Sequence, residues 1–418
     1  MINKYFRAAR VAPPWEGQGG GPLLREWRRM TSRRIYLWAA VVLPLFLLLF
    51  MTTIFGSGQM VQLPVGIVDA DNTATSRSVV RTIAATPTLY VAAHYADDAE
   101  ARAAVQRKEV YGYLSIPPRF EELVMRGTGA TLCYYYHYAL LAVGGEVMSA
   151  FETALMPVRM APIVDEAVAL GATEQSIETL LLPMLADDHA LYNPSLDYAV
   201  YLALPIYYIM LQILVLLVTL YAVGSERKEA GASSLRSKGV KEFRSEDNSL
   251  YAAQSSFSLK FIVGKLLPYT LIFIGQALLA NVVFFRCEHI PFAGSMALFT
   301  FTTVLFVVAT QSVAVILYAL FPVLSLVISV VSMVGSLGAT LSGLTFPLSA
   351  MSPVVRWVAE LFPVRHFTEA MQRMVYFDGG FVACWPQIAV LCLYPLLMMA
   401  VLPRLRKIIQ LYPYDTLE

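Results

Sequence analysis

Charge is scarce in this chain. Asp, Glu, Lys and Arg together make up 15% of its 418 residues, against roughly 25% in an ordinary soluble domain. The shortage is uneven, and with 57% hydrophobic residues it points to membrane spans. An excess of one sign is also lacking. A formal net charge of +1 gives no reason to expect nucleic acid. Cysteine is limited to Cys133, Cys287, Cys384 and Cys392, with no C-x-x-C spacing and no accompanying histidine cluster, which excludes the usual zinc motifs. Each reads as a small buried apolar residue, although Cys287 and Cys384 both fall near one membrane face, where a disulfide is open to them. Catalytic signatures are missing as well. The phosphate-cradling G-x-x-x-x-G-K-[ST] pattern does not occur, and its nearest fragment, Gly264-Lys265, is followed by leucine. The expectation is a chain that hydrolyses no ATP itself and holds no cofactor or metal. There is no H-E-x-x-H helix and no nucleophile elbow. His94 and His137 read as ordinary residues of an external domain, and His366 sits beside Arg365 in an outer loop.

Apolar runs are plentiful. A span needs about 20 apolar residues to cross roughly 30 Å of hydrocarbon. Six segments qualify: Ile35–Phe55, Tyr198–Gly224, Phe261–Phe285, Met296–Phe321, Val323–Phe346 and Phe381–Val401, with a tight turn at Pro322. The first starts behind "REWRRMTSRR" with no small-residue cleavage site after it, so it reads as a retained span rather than a signal peptide. Lys and Arg cluster before the first span (Arg25, Arg28, Arg29, Arg33, Arg34), between the second and third (Arg227, Lys228, Arg236, Lys238, Lys241, Arg244, Lys260) and after the last (Arg404, Arg406, Lys407). The positive-inside rule puts these regions, and both termini, in the cytoplasm.

The long insert, residues 56–197, alternates strand and helix patterns. "LPVGIVDADNTATSRSVVRTI" reads as a buried strand at Pro64–Val68, an acidic turn, and a helix capped by Thr75 or Asn72. "TLYVAAHYA", "VYGYLSIP" and "ATLCYYYHYA" follow as strands. Between them "DDAEARAAVQRKE" and "PRFEELVMRG" read as helices, and Leu140–Leu191 is largely helical. The fold class expected is an α-helical membrane protein, with six transmembrane helices and an inserted extracytoplasmic α/β domain. The organisation divides into a cytoplasmic lead with an amphipathic helix (1–34), the first span (35–55), the insert (56–197), five further spans (198–402) and a cytoplasmic tail (403–418). Within 198–402, a cytoplasmic loop covers 225–260 and an outer loop 347–380. The outer loop, "MSPVVRWVAELFPVRHFTEAMQRMVYF", carries Arg356, Glu360, Arg365, Glu369 and Arg373, too much charge to span; it fits short helices lying at the interface or dipping into the outer leaflet against other helices.

Ion-driven pumps keep ionisable residues deep in their spans, and here the mid-span stretches hold almost none. Gln212, Gln276, Asn281 and Gln311 are the polar exceptions, suited to helix packing or to substrate contact, while Lys265 lies where it can snorkel to the surface. Ser332, Gly335, Ser336, Gly338, Ser342 and Gly343 narrow one face of the fifth span, for close packing or for a groove. In the cytoplasmic loop, "ERKEAGASSLRSKG" sets Glu226 and Glu229 on one face of a short amphipathic helix ending near Leu235, with Arg227, Lys228 and Arg236 as donors. That is a docking lever for another protein, or a solvated loop with positive-inside charge.

Several stretches, in order, are similar to a known family. "LLREWRRMTSRRIYLWAAVVLP" resembles a cytoplasmic elbow helix leading into a proline-bearing first span. "PVGIVDADNTATSRSVV", "VYGYLSIPPRFEELVMRG" and "YNPSLDYAVYLALP" resemble an external domain and its re-entry to the membrane. "SERKEAGASSLRSKG" resembles a coupling-helix loop, and "LSGLTFPLSAMSPVVRWVAELFPVRHF" the end of a fifth span with its outer helices. Together they resemble permeases of the type-2 ABC exporter family, in the branch with a large extracytoplasmic domain. Glu226 and Gly231 fall on the typical coupling glutamate and glycine, whereas Ala232 stands where threonine is frequent and a proline is displaced to Pro353.

The resemblance implies a half-transporter of the inner (plasma) membrane. A separate ABC ATPase subunit supplies ATP and Mg, and a second permease, the same chain or a paralogue, completes it. A hydrophobic or amphipathic substrate is expelled, and the external domain meets a periplasmic adaptor or shapes an exit. It implies coupling through Glu226, Arg227, Glu229, Gly231 and Leu235. It also implies a substrate path or dimer interface along spans two and five, near Gln212, Gln311, Ser336, Ser342, Gly343, Phe346 and Pro347, with membrane lipid around it. The competing reading is a membrane-anchored receptor using its external domain without transport; six spans exceed what an anchor requires.

Overall fold

In a computed structural model the described residues are 22–32, 34–56, 58, 60–126, 130–169, 171, 193, 197–238 and 259–411. The chain divides into two units, residues 57–195 and the remainder.

The smaller unit holds a four-stranded sheet of order β2-β1-β3-β4: β1 (Leu63–Asp69), β2 (Leu89–Tyr95), β3 (Gly112–Ile116) and β4 (Cys133–Tyr136). β1 pairs in parallel with β2 and β3, and β4 closes the far edge antiparallel to β3. Parallel neighbours need crossovers. These contain the helices α3 (Ala74–Ala84) and α4 (Asp98–Gln106); α5 (Phe120–Met125) and α6 (Leu141–Ala169) complete the unit. Val65, Ile67, Leu114 and Ile116 of the sheet are buried with Val79 and Ile83 of α3 and with Val147 and Phe151 of α6.

The cap of α3 differs from expectation. Thr73 is the N-cap: its hydroxyl accepts from the Ser76 amide, and Ser76 Oγ accepts from the Thr73 amide in return. Asn72 takes a left-handed backbone (φ 53°), and the Thr75 hydroxyl donates to Glu121. Asp71 carries the neighbouring joint. Its carboxylate accepts the Phe120 and Glu121 amides at the start of α5 and the Thr73 hydroxyl. These bonds hold Asp71 below the usual carboxylate range, the Thr73 hydroxyl first.

The larger unit opens with α1 (Pro22–Ser32), amphipathic, with Glu26 and Met30 buried and Leu24 and Trp27 exposed. Residues 34–55 form α2, one helix widened into a π turn at Trp38–Val42. α7 begins with a similar turn at Ala199–Ala203 and runs on through Leu204–Lys238; α8 comprises Leu259–Val282 and the π turn Val283–Cys287. Then come α9 (Met296–Leu320), α10 (Leu324–Thr340), α11 (Pro353–Ala359), α12 (Pro363–Val375) and α13 (Phe381–Leu411).

Among the described residues five helices are long and apolar enough to cross a membrane: Ile35–Phe55, Ala199–Ser225, Ile262–Cys287, Met296–Leu320 and Phe381–Leu405. The chain is thus a multi-pass, mainly helical membrane protein. The expected span Val323–Phe346 is shorter as a helix, 17 residues, about 25 Å at 1.5 Å per residue. The helix stops because Ser342 turns its hydroxyl to the Ala339 carbonyl and Gly343 adopts φ +83°.

The expected helices of the outer loop also divide. α11 exposes Val354 and Trp357, and Leu361 just past its end, as an interfacial helix would, whereas α12 is buried almost throughout. Its Phe367 packs 4.6 Å from Tyr208 of α7 and 4.3 Å from Phe306 of α9, ring centroid to centroid. α11 thus fits the first expected arrangement, at the interface, and α12 the second, packed in against other helices. The four cysteines are free, so no disulfide joins Cys287 to Cys384; the Cys384 thiol donates to the Ala370 carbonyl instead.

Candidate functional site

The expected path residues do not form one cluster. Gln212 lies fully buried on α7, and among the described residues neither its Oε1 nor its Nε2 has a hydrogen-bond partner. It faces α10 where that helix lacks side chains. A methyl built on Gly338 would stand 3.1 Å from Gln212 Nε2 and 3.3 Å from Phe362 and Val364, and one on Gly335 would meet Ile213 at 2.7 Å. The two glycines therefore let α7 and α10 approach closely, leaving an amide whose desolvation nothing described offsets.

Gln311 belongs to a different seam. On α9, its Oε1 accepts from Thr270 Oγ1 of α8 at 2.7 Å, while its Nε2 is unpaired among the described residues, as is Thr310 Oγ1 beside it. Ser342 is buried and spends its hydroxyl on ending α10. Gly343 forms the turn that follows, Phe346 and Pro347 are exposed, and Ser336 lies on the open face of α10 with its hydroxyl on the Met333 carbonyl.

The other mid-span amides hold helices together. Gln276 Nε2 donates to the Ala40 and Val41 carbonyls, at 2.8 and 3.2 Å. These lie in the π turn of α2, where the wider turn disturbs the ordinary backbone pairing. Asn281 accepts from the Tyr208 phenol and reaches Thr303.

Lys265 corrects the expectation most sharply. It does not snorkel: it is 3% exposed and its Nζ lies 3.0 Å from Glu26 Oε2, a carboxylate wholly removed from solvent. Tyr269 Oη donates to Glu26 Oε1 at 3.0 Å, and Arg29 approaches at 3.6 Å. Nearby, Tyr36 Oη meets Ser225 Oγ at 3.4 Å. Glu26 lies among the basic residues of "REWRRM", and the signal the sequence offers is its place one turn before the apolar Met30 on α1.

On α12, Glu369 pairs with Arg365 and Arg373 one turn to either side. Burial pushes the Glu369 carboxyl up, but the two guanidinium groups together hold it below the usual range. His366 Nε2 lies 2.9 Å from the Glu360 carbonyl, and burial first, then Arg365, keeps its pKa below that of an ordinary imidazole. Among the described residues no group of His, Cys, Asp and Glu is arranged to hold a metal ion. The residues expected to couple, Glu226, Arg227, Glu229, Gly231 and Leu235, all fall within the backbone of α7, which passes from the apolar span to Lys238 without a break. Their side chains lie outside the described residues.

A sequence profile for the family described as "ABC-2 family transporter protein" matches residues 34–402. The chain belongs to the ABC-2 transporter family. Membership makes it an ABC-2 type permease and implies an ABC ATPase partner in general terms. Among curated proteins, this ABC-2 permease is similar to the "Probable multidrug ABC transporter permease YbhR" of Escherichia coli (strain K12) and of Escherichia coli O157:H7. In each case it is 24% identical over 208 residues, covering 50% of this chain and 51% of the relative. The chain thus spans about half the length of the curated relatives it matches. No solved structure matches the permease.

Proposed function

We infer that this chain is the membrane-spanning permease subunit of an ATP-driven exporter that moves a hydrophobic or amphipathic substrate out of the cytoplasm or inner leaflet. The observation that carries the reading is the continuity of α7. One helix joins the seam with α10, where Gln212 and Gly338 meet, to the charged stretch 226–238. Force applied to that stretch reaches the seam without an intervening hinge. The relatives' printed description as multidrug permeases supports a drug-like or lipid-like cargo for this one.

In this reading there are six crossings, α10 being the short one, in the inner (plasma) membrane, and both termini are cytoplasmic. The unit 57–195 stands outside and meets an adaptor or shapes an exit. The chain carries no ATPase site of its own; ATP and Mg act on the partner subunit. A second permease, the same chain or a paralogue, pairs through the open face of α10, where Ser329, Ser332, Ser336 and Thr340 are exposed. Small residues of this kind favour close helix approach.

The test is a mild-detergent capture of the chain from its native membrane, with an ATPase assay on the eluate. Co-purified ATPase activity that vanishes when residues 226–231 are scrambled supports the exporter. If crosslinking before solubilisation also captures no ATPase, the reading falls and the anchored-receptor alternative takes its place.

A further inference from the structure

The charged stretch 226–258, the end of α7 and the chain that leads on to α8, has two roots, the last apolar turn of α7 at Ser225 and the first turns of α8 around Lys265. Both are tied to the same neighbour in the chain, residues 26–36. At the α8 root, Glu26 Oε2 meets Lys265 Nζ and Glu26 Oε1 accepts from Tyr269, each at 3.0 Å. At the α7 root, Ser225 Oγ donates to the Ala222 carbonyl, so the Tyr36 phenol is the donor in its 3.4 Å contact with Ser225. The Tyr36 ring also packs 5.7 Å from Tyr269 and 5.4 Å from Tyr221, bridging the two roots.

A buried ion pair is a poor device for mere adhesion. The desolvation of both charges offsets most of their attraction, and an apolar pair of similar size holds two helices at least as well. What the pair adds is direction: a carboxylate with donors on both oxygens allows one register of α1 along α8, and a slip of one turn leaves a charge buried alone.

We propose that Glu26 is a positioning residue. It clasps α1 to the α8 root while Tyr36 holds the α7 root, so that α1 and both ends of the 226–258 segment move as one body when an ATPase pushes on that segment. The transmission role rests on the exporter reading. The clasp itself does not.

The first arm needs only the full-length permease in lipid nanodiscs, read by hydrogen exchange. Glu26→Gln keeps the shape and removes the charge. Exchange in residues 226–238 and 259–265 is expected to rise about tenfold as the local opening equilibrium shifts, with residues 363–375 and 63–69 unchanged. Unchanged exchange at both roots overturns the clasp, as does a rise confined to residues 22–32 or one spread evenly through the chain. If Glu26→Gln does not insert, Tyr269→Phe removes one hydrogen bond to the same carboxylate and is expected to raise exchange at the same roots by less; no rise there overturns the clasp equally.

The second arm uses the complex with its ATPase. Glu26→Gln is expected to retain the partner and its ATP turnover while substrate moved per ATP falls. An unchanged ratio overturns transmission, because a purely structural defect lowers both together. A wild-type chain that captures no ATPase sinks the exporter reading and leaves the exchange result standing.

Discussion

Gly338 presses its bare α-carbon toward the Gln212 amide, leaving 3.1 Å between Nε2 and the place a methyl would occupy. An unpaired, fully buried amide at a closely packed helix seam is either a packing defect that is tolerated or a group that meets something else. Gln212→Leu distinguishes the two. Removing a buried polar group without a partner is neutral or stabilising, here by about 1 kcal/mol, so the thermal midpoint in detergent should hold or rise. If Gln212 meets cargo, transport falls while stability does not; unchanged transport returns Gln212 to packing.

Gly338→Leu acts on the same seam from the other side. Phe362 and Val364 already stand 3.3 Å from the added methyl position, so overpacking should destabilise by about 1–3 kcal/mol. Gly338→Ala, which asks the neighbours to give only a few tenths of an ångström, should cost less. A larger loss for alanine than for leucine would contradict the geometry.

Thr73 is the cap of α3, and the neighbouring threonine is not. Thr73→Ala should cost about 1 kcal/mol of local stability, seen as faster hydrogen exchange in the first turn of α3 within the full chain. Thr75→Val removes a hydrogen bond to Glu121 but no cap, and should leave that turn protected. The opposite ranking would restore the cap expected from sequence.

That exchange of caps shows where sequence reading runs out. Strand and helix alternation in the smaller unit was legible because hydrophobic period is a local property, and the strands fall within the segments where Val, Ile and Tyr cluster. Whether Asn72, Thr73 or Thr75 caps α3 depends on which one leaves the helical backbone conformation, a difference of one residue that Asp71 decides from the turn. The spans were legible as apolar runs, but α10 ends earlier than the apolar run suggests, because Leu341, Leu344 and Phe346 carry the run on past the helix; the end is set by Ser342 and Gly343. For the outer loop the sequence left two arrangements open, at the interface or dipping in against other helices; α12 takes the second, because Glu369 neutralises Arg365 and Arg373 along the helix and Phe367 enters the core. The role of Glu26 is not legible in the sequence because its partner lies 239 positions away.

Acid should loosen α12. His366 is held below the ordinary imidazole value, so the folded chain binds fewer protons there than the unfolded one. Its contribution is complete above about pH 6.5 and is lost as pH falls through the lower folded value. Glu369, also depressed, adds a second loss below about pH 4.3. A thermal midpoint measured from pH 7.5 to 3 should therefore fall in two limbs, and His366→Gln should flatten the upper limb while leaving the loss below about pH 4.3. A midpoint that rises toward pH 5 would reverse the sign and refute the assignment.

Glu226→Lys tests the charged extension of α7. Because α7 remains helical from Leu204 to Lys238, a reversal of charge at Glu226 should leave insertion and folding intact while weakening capture of the ATPase by about tenfold, a coupling of roughly 1.4 kcal/mol. Topology supplies the control. A cysteine placed at Ser233 should react with an impermeant label only from the cytoplasmic side, and one at Asp98 only from outside. Labelling with the sides exchanged would invert the orientation and place the proposed docking stretch where no ATPase can reach it, whatever the capture assay returns. Labelling as expected, with unchanged ATPase capture and transport in Glu226→Lys, would keep the topology and shift the docking contact to other residues of the 226–258 segment.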